Sequence, residues 1–331
     1  KVYKRPVAIL LMSNPPKETT IQKDFRNLSN SEIKTFSPEL RLALRKARRY
    51  QYIIEEVSNE DEIPLIQNFN IEKNESAENL ALRLRSFLNF PLTEQVAWKI
   101  DEADRNFQKK VEDLGVFIFK MKLPIQEARA FCLTGKFPVI VLNTEDSNNG
   151  RIFSLFHELC HIILNTNDLF RDKTNQISKE YERIETFCNK FAATFLIPST
   201  AFFDETIKAN SNKLQIDEKI IEFIANGYKV SKEVIARKLL SLELIQESTF
   251  WAMKKKWDNI AKLAKEKRNE RLKESDSGIN QGIKIIHEKG KPYVSKVYGA
   301  YSLGRISSSD LSNFLETKLT NLPKIIERLN Y

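Results

Sequence analysis

Phe156-His157-Glu158-Leu159-Cys160-His161 carries the pattern H-E-x-x-H. Positions i and i+4 of a helix share a face, so both imidazoles can reach one metal ion. Glu158 lies about 100° round the helix from His157. That places its carboxylate beside such an ion rather than on it, where it can hold a water molecule. Zinc held by three protein groups keeps a fourth position open, and a water there becomes acidic near neutral pH. The pattern uses two of the three histidines in the chain, so it is not a by-product of histidine-rich composition. Ile152, Phe153, Leu155, Phe156, Leu159, Ile162, Ile163 and Leu164 make the segment strongly apolar, and the helix is expected to be buried. Buried histidines and a carboxylate are costly unless something engages them. The plain alternative is a pair of satisfied core histidines beside a coincidental glutamate.

A third ligand is expected from the next helix. Residues 179–197 read KEYERIETFCNKFAATFLI, and Pro198 closes the segment. Phe187, Phe191, Ala192 and Phe195 mark its apolar face. Glu185 precedes Cys188, Asn189 and Ala192 at helical spacing, on a side with small residues that let two helices approach closely. Glu180 and Glu182 sit in the first turn, where the helix dipole favours a carboxylate without any metal. Glu185 is therefore the chosen ligand and Glu182 the runner-up.

HELCH followed by ETFCNKFAATFLIP resembles the ImmA/IrrE family of bacterial metallopeptidases, in which H-E-x-x-H precedes E-x-x-A-N-x-F-A-A-x-x-L-x-P. Glu185, Asn189, Phe191, Ala192, Ala193 and Pro198 fall on that second pattern. Cys188 stands where the family usually has alanine, and Cys160 where glycine or alanine is common. Both departures are small residues, yet each sets a thiol near the motif. The resemblance implies an α+β, mainly helical fold: a zincin-like peptidase core with a small sheet and the H-E-x-x-H helix, followed by a helical C-terminal region. It also implies one Zn2+ ion as cofactor. The opening Tyr3-Lys4-Arg5-Pro6 resembles the join to an XRE-type helix-turn-helix in long family members, so a DNA-binding domain is expected to precede residue 1 in the natural chain.

The 331 residues suit one large domain or two to three small ones. With 41% apolar and 29% charged residues and no run of membrane-spanning length, a core is expected and a membrane segment is not. The run 7–12 is too short for a secretory signal and lacks a cleavage site. Cysteines at 132, 160 and 188 give no disulfide framework, which points to a reducing cytoplasm. The expected division is a connector and basic helix over 1–74, the peptidase core over 75–200, a helix-turn-helix-like module over 201–248 and a helical region over 249–331.

Ser37-Pro38 opens a helix whose Leu40, Leu44, Ala47 and Ile54 form an apolar stripe and whose Arg41, Arg45, Lys46, Arg48 and Arg49 make it very basic. Helices are expected over 76–88 and 92–113. Strands follow at 116–119, 128–133 and 137–142, with Pro138–Leu142 as the edge strand that would pair with extended substrate. Val230–Leu240 reads as the second helix of a helix-turn-helix with Gly227 at the turn. Residues 250–275 read as an exposed, self-neutralising helix, and 275–291 as a loop or hairpin holding a solvated His287.

These features add up to a zinc-dependent endopeptidase. His157, His161 and Glu185 would hold the metal, and Glu158 would act as general base. Asn189 would orient a ligand, and Arg151 or Tyr181 would supply a donor to the oxyanion. The resemblance implies a protein substrate, a transcriptional repressor, in a stress or mobile-element response. The other reading is a DNA-binding or antitoxin-like regulator with a structural or sensory zinc site that Cys160 or Cys188 could close. The basic helices leave contact with DNA open.

Overall fold

The run Val139–Asn143 is apolar without alternation, the pattern of a strand covered on both faces. In the computed structural model it is the central strand of a three-stranded sheet. The structure describes residues 36–99, 102–165, 177–198, 216–241, 244–274 and 281–329. The apolar run 7–12 and the polar connection that follows it lie outside them. In chain order come α1 (Pro38–Val57), α2 (Ala77–Phe87), α3 (Leu92–Ala97), α4 (Ala103–Glu112), β1 (Phe117–Met121), β2 (Ala130–Leu133) and β3 (Val139–Asn143). Then follow α5 (Asn148–Asn165), α6 (Ile177–Leu196), α7 (Glu218–Tyr228), α8 (Lys232–Ser241), α9 (Glu247–Glu274), α10 (Gln281–Lys289), α11 (Lys291–Ser302), α12 (Ser308–Leu315) and α13 (Leu322–Leu329). The α+β, mainly helical class is thus as expected. Among the described residues, no helix is long and apolar enough to cross a membrane.

The sheet order is β1-β3-β2. β1 runs parallel to β3 with Phe117 opposite Val139, and β2 runs antiparallel with Leu133 opposite the same residue. This overturns the choice of Pro138–Leu142 as the edge strand: all five residues of β3 are buried. Alternate side chains divide between two cores. Ile118, Ala130, Ile140 and Leu142 face one, built with α2 to α8 and the start of α9. Phe117, Phe119, Phe131, Val139 and Val141 face the other, built with α1 and α10 to α13. Both cores join residues from either side of the boundaries expected along the chain.

Helix α1 forms as its sequence dictates. The Ser37 hydroxyl accepts from Leu40 N at 3.2 Å, Pro38 occupies the first turn, and Leu40, Leu44, Ala47 and Ile54 are at most 2% exposed. The expected helix over 92–113 is two helices instead. Trp98 breaks it in an extended conformation, and its ring packs on Phe90 and Phe107 at 5.2 and 5.0 Å between centroids. Burying that ring outweighs continuing the helix, and Val96 is left 40% exposed. The α7–α8 turn also differs. Gly227 stays within α7, and Lys229 takes the left-handed cap at φ 58° because Tyr228 is anchored in the core.

Residues 281–289 are helical rather than a loop, and α10 packs on β1. The close approach needs Gly290, at φ 76°, where a Cβ would stand 2.8 Å from the Ile118 carbonyl oxygen and 3.2 Å from Glu112 Oε1. Burial pushes the Glu112 carboxyl up to about 7, with the charge of Lys120 opposing. A raised carboxyl costs nothing while neutral, and its cost appears as pH rises from the ordinary carboxylate range through that value. Glu112→Gln is expected to leave the urea midpoint nearly unchanged below about pH 4. Near pH 8 it should raise stability by about 3 kcal/mol at most. An equal shift at both pH values would contradict the assignment.

Candidate metal centre

Helix α5 carries His157, Glu158 and His161, and α6 packs along it bearing Glu185. The two helices are fixed together by Phe156 stacked on Phe195, with centroids 4.2 Å apart. Small side chains at Cys160, Cys188 and Ala192, all fully buried, let the helices close. Farther along, Arg85 and Gln95 pin the C-terminal end of α6. Arg85 donates to Phe195 O at 2.8 Å and Gln95 to Leu196 O at 2.9 Å, and the two side chains bond each other at 2.7 Å. Nothing in the sequence flagged these two, because a lone arginine and glutamine on amphipathic helices read as solvent-facing.

The site is a triangle. His157 Nε2 and His161 Nε2 are 3.1 Å apart, and each stands 3.2 Å from a different oxygen of the Glu185 carboxylate. One ligand atom from each of the three residues lies within 4.8 Å of the others, and imidazole nitrogen and carboxylate oxygen are donors that zinc takes at about 2 Å. Glu185 Oε1 is buried, 3.2 Å from His161 Nε2. Asn189 Oδ1 lies 3.1 Å from His157 Nδ1. An Nδ1–H donated to that oxygen fixes the tautomer that leaves Nε2 free to bind a metal. The group His157, His161 and Glu185 is therefore fit to hold a zinc ion.

The electrostatics agree. Burial alone would raise the Glu185 carboxyl, but the hydrogen bonds and charges of His157 and His161 outweigh it and hold the group at about 2. Burial works against a charged His161, yet its hydrogen bonds to Cys188 and Glu185, with the charges of Cys188 and Glu158, carry it well above the ordinary histidine value. Such a site favours positive charge between the two helices. The His161 side chain is 5% exposed, whereas those of His157 and Glu185 are 13% and 23% exposed. Solvent reaches the triangle from their side.

Glu158 is 3% exposed and close enough for its charge to act on His161. Neither Cys160 nor Cys188 joins the metal group. Cys188 hydrogen-bonds Cys160 and His161, and burial pushes its thiol up. The structure does not bring Arg151 to the triangle. Its guanidinium donates to Asp146 O at 2.8 Å and to Asn148 Oδ1, in the first turn of α5. Glu182 is exposed on α6 and outside the group. Tyr181 lies on α6, one turn before Glu185, and its side chain is outside the described residues. His287 lies on α10 and is not part of the metal group.

Residues 111–240 match the model of the Peptidase_M78 family, described as an IrrE N-terminal-like domain. The matched region holds the sheet, both helices of the triangle and nearly all of the α7–α8 pair. It supports the ImmA/IrrE resemblance and, at the level of the family, a zinc metallopeptidase-like domain. No curated protein matches the chain.

Proposed function

We propose that the chain is a zinc-dependent endopeptidase acting on a protein substrate. The observation that carries this reading is the 3.1–3.2 Å triangle of His157, His161 and Glu185 with the buried carboxylate of Glu158 beside it. A site serving structure alone has no use for that carboxylate, and would be expected to close with a fourth protein ligand. Zinc bound there supplies Lewis acidity, polarising a scissile carbonyl and acidifying a water. Glu158 takes the proton of the attacking water and delivers it to the departing amine nitrogen. Asn189 keeps the His157 ring in its ligating tautomer. Of the two oxyanion candidates, Arg151 is engaged elsewhere, and Tyr181, four residues before Glu185 in the sequence of α6, is the one left to test.

Extended substrate is assigned to β2, which lies at the sheet edge and packs on α5, whereas the opposite edge strand, β1, is packed by α10. A transcriptional repressor as substrate, cut at one exposed linker, follows from the family resemblance.

Elemental analysis and zinc-edge absorption spectroscopy test the site. One zinc per chain with only nitrogen and oxygen neighbours is the expected result. It should be joined by hydrolysis of candidate repressors that a chelator stops and zinc restores. A sulfur neighbour would make the centre structural and overturn the peptidase reading.

A further inference from the structure

Three helices of this protein are rich in lysine and arginine, and the structure separates them by what their charges meet. On α8 and the start of α9, four cations are held on internal carboxylates. Lys232 pairs with Glu218 at 3.1 Å, Arg237 with Glu233 at 2.7 Å, Lys254 with Glu233 at 2.6 Å and Lys256 with Glu218 at 2.6 Å. The apolar side of α8 is in the core as well, with Val234, Ile235, Ala236 and Leu239 at most 4% exposed. The helix-turn-helix-like pair is thus packed on its apolar side, and its cations are drawn onto Glu218 and Glu233, two carboxylates shared by four cations, which holds them away from an outside anion.

Helix α1 is different. Arg41, Arg45 and Arg49 are exposed, and no carboxylate pairs with any of them among the described residues. Arg41 Nε donates to the Phe36 carbonyl at 2.8 Å and Arg49 reaches the Asn313 carbonyl at 3.5 Å, contacts that orient each guanidinium without cancelling its charge. On this helix Lys46 does have an acidic partner, Glu316 at 2.7 Å. The carboxylates of α1 itself, Glu39, Glu55 and Glu56, lie towards its two ends, outside the 41–49 stretch. Spaced four apart, the three arginines climb about 6 Å per step and drift slowly round the helix, forming one stripe. Leu42, 37% exposed, and Tyr52, 65% exposed, lie on the outward side of the same helix.

We propose that the outer face of α1 is a nucleic-acid contact surface, with Arg41, Arg45 and Arg49 engaging the phosphodiester backbone. Charge complementarity selects the partner. The chain carries a net charge of +9, and the part on α1 with no acidic partner among the described residues is arginine, whose planar fork binds phosphate oxygens in pairs. Lipid insertion does not fit, because the apolar side of α1 is already in the sheet core. The proposal is independent of the peptidase reading.

The test is fluorescence anisotropy of the whole chain with a short labelled DNA duplex, the matching single strand and an RNA hairpin, over a range of salt concentrations. Binding is expected to weaken linearly in log–log form with salt. In the R41Q/R45Q/R49Q variant the slope should fall by about one for each arginine removed. Affinity at low salt should drop at least about tenfold, which is modest for three phosphate contacts. The K232Q/R237Q variant should bind like the unmodified chain. The duplex, single strand and RNA arms tell which backbone is preferred. An unchanged slope in the triple variant overturns the proposal. So does an absence of binding at low salt, or a preference for polyglutamate over all three nucleic acids, which would point to an acidic protein instead. R45Q alone, with an unchanged thermal midpoint, guards against a folding artefact.

Discussion

Glu158→Gln is expected to leave bound zinc untouched and to lower peptide hydrolysis by roughly 10²- to 10⁴-fold, the range general acid–base catalysis supplies. The two effects separate because of where the side chain stands. Glu158 is not among the three groups whose donor atoms converge, so its replacement removes no ligand. Glutamine keeps the shape of a side chain that is 3% exposed, so the packing around α5 is preserved. What it loses is the capacity to accept a proton from water. The lost negative charge also acts on His161, where it now favours the protonated ring. A divalent ion feels that charge more strongly than a proton does, so zinc affinity should at most fall modestly with all three ligands in place. Zinc content and kcat/KM are measured on the same preparation. A zinc-loaded glutamine variant that hydrolyses substrate at the unmodified rate would sink the role given to Glu158. A variant that loses zinc would show instead that the carboxylate holds the ion.

Much of this site was legible because helical periodicity is a local property. His157, His161 and Glu185 meet in space because i+4 spacing, small residues and an apolar face fix how two adjacent helices pack. Asn189 reaches His157 Nδ1 for the same reason, being four residues beyond Glu185. What sequence could not supply was pairing between distant segments. A continuous apolar run shows that β3 is covered on both faces but does not name its neighbours, and an edge strand and a central strand read alike in Val139–Leu142. Trp98 broke a helix because of rings contributed by Phe90 and Phe107, and only the second of these lies in the span read as one helix. Arg151 looked available for an oxyanion until the fold tied its guanidinium to Asp146 and Asn148. In each case the deciding partner was set by tertiary packing rather than by local pattern.

Glu185→Ala tests the other half of the proposed centre, because among the described residues this carboxylate is the group that α6 contributes to the cluster. Its loss is expected to weaken zinc binding by more than about 100-fold. That figure is the upper end for residues that merely orient a ligand. Asn189→Ala, which removes only the acceptor facing His157 Nδ1, should fall within that orienting range of about 10- to 100-fold. The ordering follows from geometry: without Glu185, two imidazoles on one helix remain, and the triangle is gone. Stability should report the same loss. Binding to the folded state alone stabilises by about 2.7 kcal/mol when free metal is a hundredfold above its dissociation constant. Added zinc should therefore raise the melting midpoint of the unmodified chain and leave that of Glu185→Ala nearly unmoved.

The pH dependence of the metal-free protein gives a second readout. The Glu185 carboxyl is held at about 2, below its unfolded value, so its stabilisation is present above the ordinary carboxylate range and is lost as pH falls through about 2. His161 is raised, so its contribution is complete below its unfolded value near 6.5 and lost as pH rises through the folded one. Both contributions rest in part on the His–Glu contacts, and both should shrink together in Glu185→Ala. A variant that still binds zinc within tenfold of the unmodified chain, with the same acid unfolding profile, would mean that another group completes the centre and that α6 does not supply the third ligand.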